Sequence, residues 1–292
     1  MAQTPSASDR HVLITGASTG IGRECAAHLA RLGFAVLAGV RNEADAKTLE
    51  AIGDVKAIRI DVTCADSIAA ATEKVRCIAG DAGLCGLINN AGIGVFGPIE
   101  FVSMADWRRQ FDVNFFGQIA VTQAMLPLLR QHVAHAGPWS ARIVNMSSIA
   151  GRLAQPIFGP YCASKFAMEA LSDSLRLELR GQGIHVCVVE PGAIDTPIWH
   201  KGFETESAIA EDHPARKLYG AAIDGGFAAA KKAAKSAIPA ETVAKAVAAC
   251  MTRRRPRTRY LVGMDAKSGA IFRAVTPDRV VDLIVGKVFA MP

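Results

Sequence analysis

The chain has 292 residues, of which half are hydrophobic and only 21% are charged, so it can build a sizeable core and is not expected to be disordered. No apolar stretch reaches the ~18 residues of a membrane-spanning helix, and residues 1–10 lack the apolar core of a signal peptide. We therefore expect a soluble, cytoplasmic protein with a flexible tail at residues 1–10. The formal net charge of +6 favours anionic ligands.

The seven cysteines are scattered, and none belongs to a Cys-x-x-Cys pair. This pattern favours reduced thiols over a disulfide framework or a zinc site, so no metal is expected. Much of the excess positive charge lies at residues 253–259, without interleaved aromatic residues. We interpret that segment as a solvated turn before a strand, with a nucleic-acid site as the less favoured alternative.

The first elements form a strand–turn–helix–strand unit. An apolar run at residues 11–15 ends in a glycine-rich turn at residues 16–22, after which apolar residues recur at helical spacing as far as Leu32. Gly33 ends that helix, and residues 35–40 form a second apolar strand. The glycines follow G-x-x-x-G-x-G and not the general G-x-G-x-x-G fingerprint. The turn is either an ordinary tight connection or a dinucleotide site, and its place before the first helix favours the latter.

The alternation of strand and helix continues along the chain. Strands are predicted at residues 55–61, 86–89, 142–146, 185–190 and 259–263, and helices at residues 66–79, 104–129 and 161–180. Strict alternation indicates a parallel sheet with right-handed crossovers, and apolar runs are typical of strands buried on both faces.

These elements predict one α/β domain over residues 1–292. It is a Rossmann-type, doubly wound, mostly parallel sheet of about seven strands with helices on both faces. A helical substrate lid is expected at about residues 195–240. The C-terminal extension, residues 266–292, is expected to form an amphipathic helix that covers the subunit, a partner or a membrane surface.

Polar residues and glycines follow most of the predicted strands. In doubly wound sheets the ligand lies outside the carboxyl ends of the strands. The residues at that edge are residues 16–22, Arg41, Asp61 and Val62, residues 90–92, Ser147 and Ser148, and Pro191 and Gly192. Glycines and polar residues with only structural roles would be scattered over the sheet. Their concentration at one edge therefore predicts a dinucleotide site there.

The end of the second strand bears on the choice of cofactor. A carboxylate there suits the ribose 2′-OH of NAD, whereas an arginine suits the 2′-phosphate of NADP. Here Val40 is followed by Arg41, while Glu43 and Asp45 are assigned to the next helix, where acidic residues suit the dipole. We expect NADP(H) in preference to NAD(H). The alternative is that Arg41 is a surface charge.

Tyr161 and Lys165 are four residues apart, a spacing that places two side chains on one face of a helix. A free phenol has a pKa near ~10, and a nearby ammonium group lowers that pKa because it favours the phenolate. We interpret the pair as an acid/base catalyst. The alternative is a chance spacing.

Together these motifs make the chain resemble the short-chain dehydrogenase/reductase family, over roughly residues 10–265. The matching positions are residues 15–22, Asp61 and Val62, residues 89–92, Asn114, Ser148, Tyr161 and Lys165, and Pro191 and Gly192. Residues 35–41 and 161–175 are similar to the hydroxysteroid and retinol dehydrogenase branch of that family.

The resemblance implies hydride transfer between a nicotinamide and a carbinol or carbonyl carbon. Tyr161 would move the proton, and Lys165 would lower the phenol pKa and bond the nicotinamide ribose. Ser148, favoured over Ser147, would stabilise the substrate oxygen. Asn114 would link to Lys165 in a proton relay, with a local backbone bond as the alternative.

The resemblance also implies the cofactor contacts. The expected residues are Gly16, Ser18, Thr19, Gly20, Ile21 and Gly22 in the glycine-rich turn, Arg41, Asp61 and Val62 at the adenosine end, Asn90, Ala91 and Gly92 after the fourth strand, and Tyr161, Lys165, Pro191, Gly192, Ile194 and Thr196 at the nicotinamide end.

Residues 199–239 lack a clear core pattern and are predicted to belong to the lid. Their apolar side chains either line a pocket for a lipophilic alcohol or ketone or pack the lid onto the domain. The set comprises Ile198, Trp199, Phe203, Leu218, Tyr219 and Phe227. Substrate contacts are expected at Ser148, Val95, Phe96, Leu153, Phe158, Trp199 and Phe203.

The leading hypothesis is an NAD(P)-dependent oxidoreductase acting on a lipophilic secondary alcohol or ketone of steroid or retinoid type. One alternative is an acyl-chain 3-ketoreductase of the same family. Another is a catalytically idle dinucleotide-binding scaffold, against which Ser148, Tyr161 and Lys165 argue. No nucleic-acid partner or transmembrane segment is expected, and the family implies a homodimer or homotetramer.

Overall fold

The computed structural model describes residues 10–199, 209 and 212–291. The strands are β1 (His11–Ile14), β2 (Ala35–Val40), β3 (Val55–Arg59), β4 (Leu84–Asn89), β5 (Ala141–Met146), β6 (Ile184–Pro191), β7 (Ile194–Asp195), β8 (Ile238–Pro239) and β9 (Arg259–Val262). Within the described residues, seven of them form a parallel sheet in the order β3-β2-β1-β4-β5-β6-β9, and β7 pairs with β8. The predicted doubly wound α/β sheet is confirmed.

Helices cover both faces of this sheet. They are α1 (Gly20–Arg31), α2 (Glu43–Glu50), α3 (Ala65–Ala79), α4 (Met104–Phe111), α5 (Gly117–Ala136), α6 (Gly159–Glu178), α7 (Pro214–Lys235), α8 (Ala240–Thr252), α9 (Met264–Val275) and α10 (Asp278–Val288). One core packs α1 and α8 on the sheet, with Leu29 and Val247 fully buried. The other packs α3 and α5 on the opposite face, with Val75 and Met125 fully buried.

The strand order reverses between β1 and β4, because β1 pairs with β2 on one side and with β4 on the other. The connections after these two strands leave in opposite directions, which opens a crevice at their carboxyl ends. The glycine-rich turn follows β1, and residues 90–92 follow β4. The fold therefore brings these two predicted motifs together at the crevice.

The helix predicted over residues 104–129 is interrupted. The π-helical turn Asp112–Phe116 lies between α4 and α5. Such a turn carries an extra residue, occurs mostly as a single turn and is frequent at functional sites. Here it contains Asn114, of which 1% is exposed.

Two other expectations were wrong. β3 is not a continuous apolar run, because it lies at the edge of the sheet and exposes Lys56 and Arg59. It nevertheless buries Val55 and Ala57 on one face and Ile58 on the other. The C-terminal extension forms two helices, not one. Pro277 separates α9 from α10, since its ring fixes φ and it lacks an N–H donor.

The lid region contains a core pattern that the sequence analysis missed. On α7, Ala215, Ile223 and Phe227 are buried and belong to a third hydrophobic cluster together with Ile157. The pattern is hard to detect because alanines and glycines occupy half of the helix. Leu218, by contrast, is 68% exposed.

No helix in the described part of the chain has the length and apolar character needed to cross a membrane. All seven cysteines lie within the described residues and are free thiols.

Candidate active site

The turn after β1 presents main-chain donors to the crevice. Thr19 caps α1 in an extended conformation and makes no side-chain capping bond with any described residue. The first-turn N–H groups of α1 therefore remain available to an anion. A Cβ on Gly22 would overlap the Gly16 carbonyl oxygen and crowd the Asn90 amide nitrogen, so only glycine fits there. An open cavity of about 590 Å³ adjoins Thr19 and Thr196. The free N–H groups of α1 and the space left by Gly22 fit a pyrophosphate, and we call this part of the crevice the cradle around Gly22.

Thr15 and Asn90 hold the glycine-rich turn in place. The Asn90 Nδ2 atom donates to the carbonyl oxygens of Thr15 at 3.0 Å and Gly16 at 2.9 Å. The Thr15 hydroxyl accepts from the main-chain nitrogens of Asn90 and Ala91, both at 3.0 Å. The Asn90 carboxamide, predicted to contact the cofactor, therefore directs its donors to the protein. Thr15 was absent from the predicted site residues, although it opens the glycine motif.

The second and third strands are followed by Arg41 and Asp61 at the same edge. Asp61 Oδ1 accepts from the Thr63 main-chain nitrogen at 2.9 Å and from its hydroxyl at 2.7 Å. These bonds, helped by the charge of Arg41, hold the pKa of Asp61 below its ordinary value. Arg41 is exposed, and Val62 is buried. A guanidinium and an ionised carboxylate thus flank the expected adenosine end.

Tyr161 lies in the first turn of α6, beside Ser148 at the end of β5. Burial raises the pKa of the Tyr161 phenol to about 12, while the hydroxyl of Ser148 acts in the opposite direction. Ser148 Oγ also accepts from the Ala150 main-chain nitrogen at 3.2 Å. Ser147 is directed elsewhere, toward Glu169. The two adjacent serines therefore face different partners: Ser148 faces the Tyr161 phenol, and Ser147 faces Glu169.

Lys165 is 5% exposed and lies one helical turn after Tyr161. Its Nζ atom donates to the Met146 carbonyl oxygen at 2.8 Å and lies 5.7 Å from the centre of the Tyr161 ring. Burial lowers the pKa of Lys165 to about 8, and the carboxylate of Glu169 acts to raise it. The expected lowering of the phenol pKa by Lys165 is not found, since that pKa is set mainly by burial, which raises it, and by the Ser148 hydroxyl, which lowers it.

Asn114 joins the π-helical turn to the segment after β4. Its side chain accepts from the Ile93 main-chain nitrogen at 2.8 Å and donates to the Ile93 carbonyl oxygen at 3.0 Å. Its Nδ2 atom also lies 3.3 Å from the hydroxyl of Ser164, the residue before Lys165. Gln118, one turn further on, donates to the Ala91 carbonyl oxygen at 2.5 Å and was missed by the sequence analysis.

The loop after β6 is held by β9 and by the first turn of α9. The Gly192 main-chain nitrogen donates to the Val262 carbonyl oxygen at 2.9 Å. The Ala193 main-chain nitrogen donates to Asp265 Oδ2 at 2.6 Å, and a Cβ on Gly192 would overlap that carboxylate. Asp265 was not predicted, although an acidic residue in the first turn of a helix is a common signal.

The rest of this loop turns back toward the glycine-rich turn. Ile194 is buried, and its carbonyl oxygen accepts from Trp199 Nε1 at 2.7 Å. A Cβ on Gly20 would lie 3.1 Å from Thr196 Cγ2, so these two predicted cofactor contacts are neighbours. The remaining predicted cofactor residues lie at the same edge. Ser18 lies in the turn after β1, Ile21 in the first turn of α1, Gly92 in the segment after β4 and Pro191 at the end of β6.

Several predicted substrate residues gather around Tyr161. Phe96 has its ring centre 6.4 Å from that of Tyr161, and Phe158 lies edge-on to Phe96 at 4.9 Å. Val95 is buried, and its main-chain nitrogen donates to Gln110 Oε1 at 2.7 Å. Leu153 is half-buried beyond Ser148. Phe203 lies outside the described residues.

A buried charge network includes Glu169, one turn after Lys165 on α6. Glu190 is fully buried and receives two bonds from Arg152, at 2.5 and 2.8 Å. Arg259 lies 3.3 Å from Glu190 and donates to Glu169 at 3.1 Å and to Asp173 at 2.8 Å. Burial raises the pKa of Glu169, and Arg259 counteracts this rise. The network joins β6, β9 and α6.

The family model of short chain dehydrogenases matches residues 10–207. The chain is 34% identical to the oxidoreductase YbbO of Escherichia coli K12, over 97% of this chain and 96% of that protein. It is 35% identical to mouse retinol dehydrogenase 5, over 99% and 92%. It is 37% identical to bovine 17-beta-hydroxysteroid dehydrogenase type 6, over 97% and 90%.

Solved structures share the fold. A short-chain dehydrogenase from Streptomyces avermitilis superimposes with a TM-score of 0.76 at 24% identity, covering 99% of this chain and 98% of that one. A short-chain dehydrogenase from Burkholderia cenocepacia, solved with NADP, gives 0.71 at 22% identity, over 96% and 99%.

Proposed function

The chain belongs to the short-chain dehydrogenase family and is an oxidoreductase, and from that premise we propose that it interconverts a lipophilic secondary alcohol and its ketone, with NADP(H) preferred to NAD(H). The observation that carries the proposal is the meeting of the Tyr161 phenol and the Ser148 hydroxyl, beside the aromatic rings of Phe96 and Phe158. The retinol and 17-beta-hydroxysteroid dehydrogenases among its relatives support a bulky apolar substrate.

In this proposal the residues of the crevice hold the cofactor along its length. The N-terminus of α1 binds the pyrophosphate, Asp61 and Val62 contact the adenosine, and Pro191, Ile194 and Thr196 contact the nicotinamide end. When bound, the nicotinamide ring supplies or accepts a hydride. The cradle around Gly22, which a Cβ would fill, supports this assignment.

Tyr161 moves the proton of the reaction. The phenol is protonated at neutral pH, and burial, which raises its pKa to about 12, keeps it so. In this proposal it donates its proton to the ketone oxygen during reduction. Ser148 donates a hydrogen bond to the same oxygen and stabilises its developing charge. Lys165 and Asn114 are proposed to return the proton from solvent, and the Asn114–Ser164 contact next to Lys165 supports that route.

The test is a substrate screen. Steroids, retinoids, acyl-thioesters and simple ketones are offered with NADPH and with NADH, and the cofactor absorbance is followed. We expect turnover of apolar secondary alcohols or ketones, fastest with the phosphorylated cofactor. A preference for acyl-thioesters would favour the 3-ketoreductase alternative. Tight cofactor binding without turnover of any substrate would contradict the proposal and indicate a dinucleotide-binding scaffold.

Arg41→Ala tests the cofactor preference. We expect KM for NADPH to rise by about 10- to 100-fold, because a hydrogen bond to a charged group is lost, and KM for NADH to change little. Lys47→Ala removes an exposed cation from the next helix and serves as the matched control. Steady-state kinetics with both cofactors decide the result, and an equal loss for NADH would contradict the 2′-phosphate assignment.

The proposal includes assembly into a homodimer or homotetramer. Exposed apolar side chains on neighbouring helices, Phe166 and Leu177 on α6 and Phe116 just before α5, support it because association would bury them.

A further inference from the structure

A row of aromatic rings runs from the catalytic tyrosine to the C-terminal turn of the chain. The ring of Phe96 is centred 6.4 Å from that of Tyr161, and Phe158 is centred 4.9 Å from Phe96. Phe289, near the end of the sequence, follows at 6.5 Å from Phe158, also edge-on. Each ring thus contacts the next, and the four residues come from three separate segments of the chain.

The middle of this row is held by a strained residue. Ile157 has φ +70°, a conformation that a β-branched side chain rarely adopts. Its carbonyl oxygen accepts from the Gly97 main-chain nitrogen at 2.7 Å, and its side chain is buried in the cluster that contains Phe227. The bond ties the segment carrying Phe158 to the segment carrying Phe96. Strain of this kind clusters at sites that clamp a ligand.

The far end of the row is built into the lid helix. A Cβ on Gly225 of α7 would overlap the Phe289 carbonyl oxygen, and a Cβ on Gly226 would lie 3.5 Å from its ring and 3.1 Å from Ile157. Glycine is unfavourable within a helix, so a pair of them at this point has a packing role. It lets the C-terminal segment approach the backbone of α7 closely.

The side chain of Phe289 faces the protein interior, whereas that of its neighbour Val288 faces outward. Val281 and Phe289 are 8% and 4% exposed, whereas Val288 is 58% exposed. The turn after α10 is closed by a hydrogen bond from the Met291 main-chain nitrogen to the Gly286 carbonyl oxygen at 2.8 Å, with Ala290 at φ +51°. The position of the Phe289 ring is therefore fixed by the backbone on both sides.

We propose that Phe289 forms the end wall of the substrate site and sets the length of the apolar group that the enzyme accepts. This inference rests on the proposed function. The substrate oxygen lies at Tyr161 and Ser148, and its apolar group extends along Phe96 and Phe158. Each added methylene then gains burial until the chain reaches Phe289, where a longer group clashes.

The test uses a homologous series of straight-chain methyl ketones, beginning with butanone. For the wild-type enzyme, kcat/KM is expected to rise by about fourfold with each added methylene, because burying one methylene contributes ~0.8 kcal/mol. Above a certain chain length, which defines the maximum, kcat/KM should fall. Phe289→Ala should move that maximum to longer ketones, and it should change kcat/KM for butanone by a smaller factor than for the ketones at the wild-type maximum, because the short chain does not reach the end wall. Phe289→Leu, which keeps apolar packing if the alanine variant does not fold, should move it by a smaller amount.

Val288→Ala is the matched control, because the same segment loses an exposed side chain, and its maximum should stay where the wild type has it. A maximum that stays at one length in both Phe289 variants, or an equal fractional loss for every ketone, overturns the inference. If the wild-type enzyme turns over neither a ketone of this series nor any steroid, retinoid or simple ketone of the substrate screen, the proposed function fails and this inference with it. Turnover of a steroid or retinoid without turnover of any methyl ketone overturns the inference alone. If the ketones are turned over but the maximum stays at the same chain length in both Phe289 variants, only the inference about Phe289 is overturned.

Discussion

Tyr161→Phe is expected to lower kcat by about 10²- to 10⁴-fold while the cofactor still binds. The substitution removes only the hydroxyl, which is the proton donor to the ketone oxygen. This hydroxyl meets Ser148, whereas the dinucleotide is proposed to be held by the glycine-rich turn before α1 and the loop after β6. Steady-state turnover in both directions and a fluorescence titration with NADPH measure the two effects separately.

Tyr260→Phe is the matched control for this change. Its hydroxyl accepts from the Arg257 main-chain nitrogen at 3.0 Å, on the last strand and away from Ser148. The same chemical change there should leave kcat near the wild-type value. Retained turnover in Tyr161→Phe would remove this phenol from the mechanism. Loss of NADPH binding would instead show that the hydroxyl supports the cofactor site.

The element order could be predicted from the sequence because each local signal agreed with the fold. Apolar runs ended by glycine or proline mark the strands, and helical spacing marks α1, α3 and α6. The π-helical turn Asp112–Phe116 could not be found in this way, since it leaves the apolar pattern of a long helix intact. The buried stripe of α7 was also missed, because small residues on all sides mask its periodicity.

The site was predictable where function depends on short motifs, and less so where it depends on distant contacts. Gly22, Tyr161 and Lys165 stand in patterns whose spacing has a chemical reason. The bonds of Asp265 to Ala193 and of Lys165 to the Met146 carbonyl join residues that meet only in the folded chain. The pKa of the phenol was misjudged for the same reason, because burial is a property of the surroundings.

Arg259→Leu is expected to lower the free energy of unfolding by about 3–5 kcal/mol, measured by urea denaturation. Arg259 lies on an arginine-rich segment that the sequence analysis interpreted as a solvated turn. Its guanidinium nevertheless contacts Glu169, Asp173 and Glu190, and Glu190 is fully buried. Removing it leaves buried carboxylates short of a counter-charge, and Arg152 alone remains beside Glu190.

The loss of stability in Arg259→Leu should become smaller as the pH falls. Burial already raises the pKa of Glu169, and Arg259 opposes that rise, so the variant should raise it further. A carboxyl whose pKa is higher in the folded state destabilises the fold above that pKa, and the cost disappears below the pKa of the unfolded chain. Denaturation at neutral and mildly acidic pH measures this. Arg76→Leu breaks an exposed pair with Glu73 and should cost at most about 1 kcal/mol at either pH. If Arg259→Leu lowers the free energy of unfolding no more than Arg76→Leu does, or if its effect is independent of pH, then Arg259 does not stabilise the buried carboxylates.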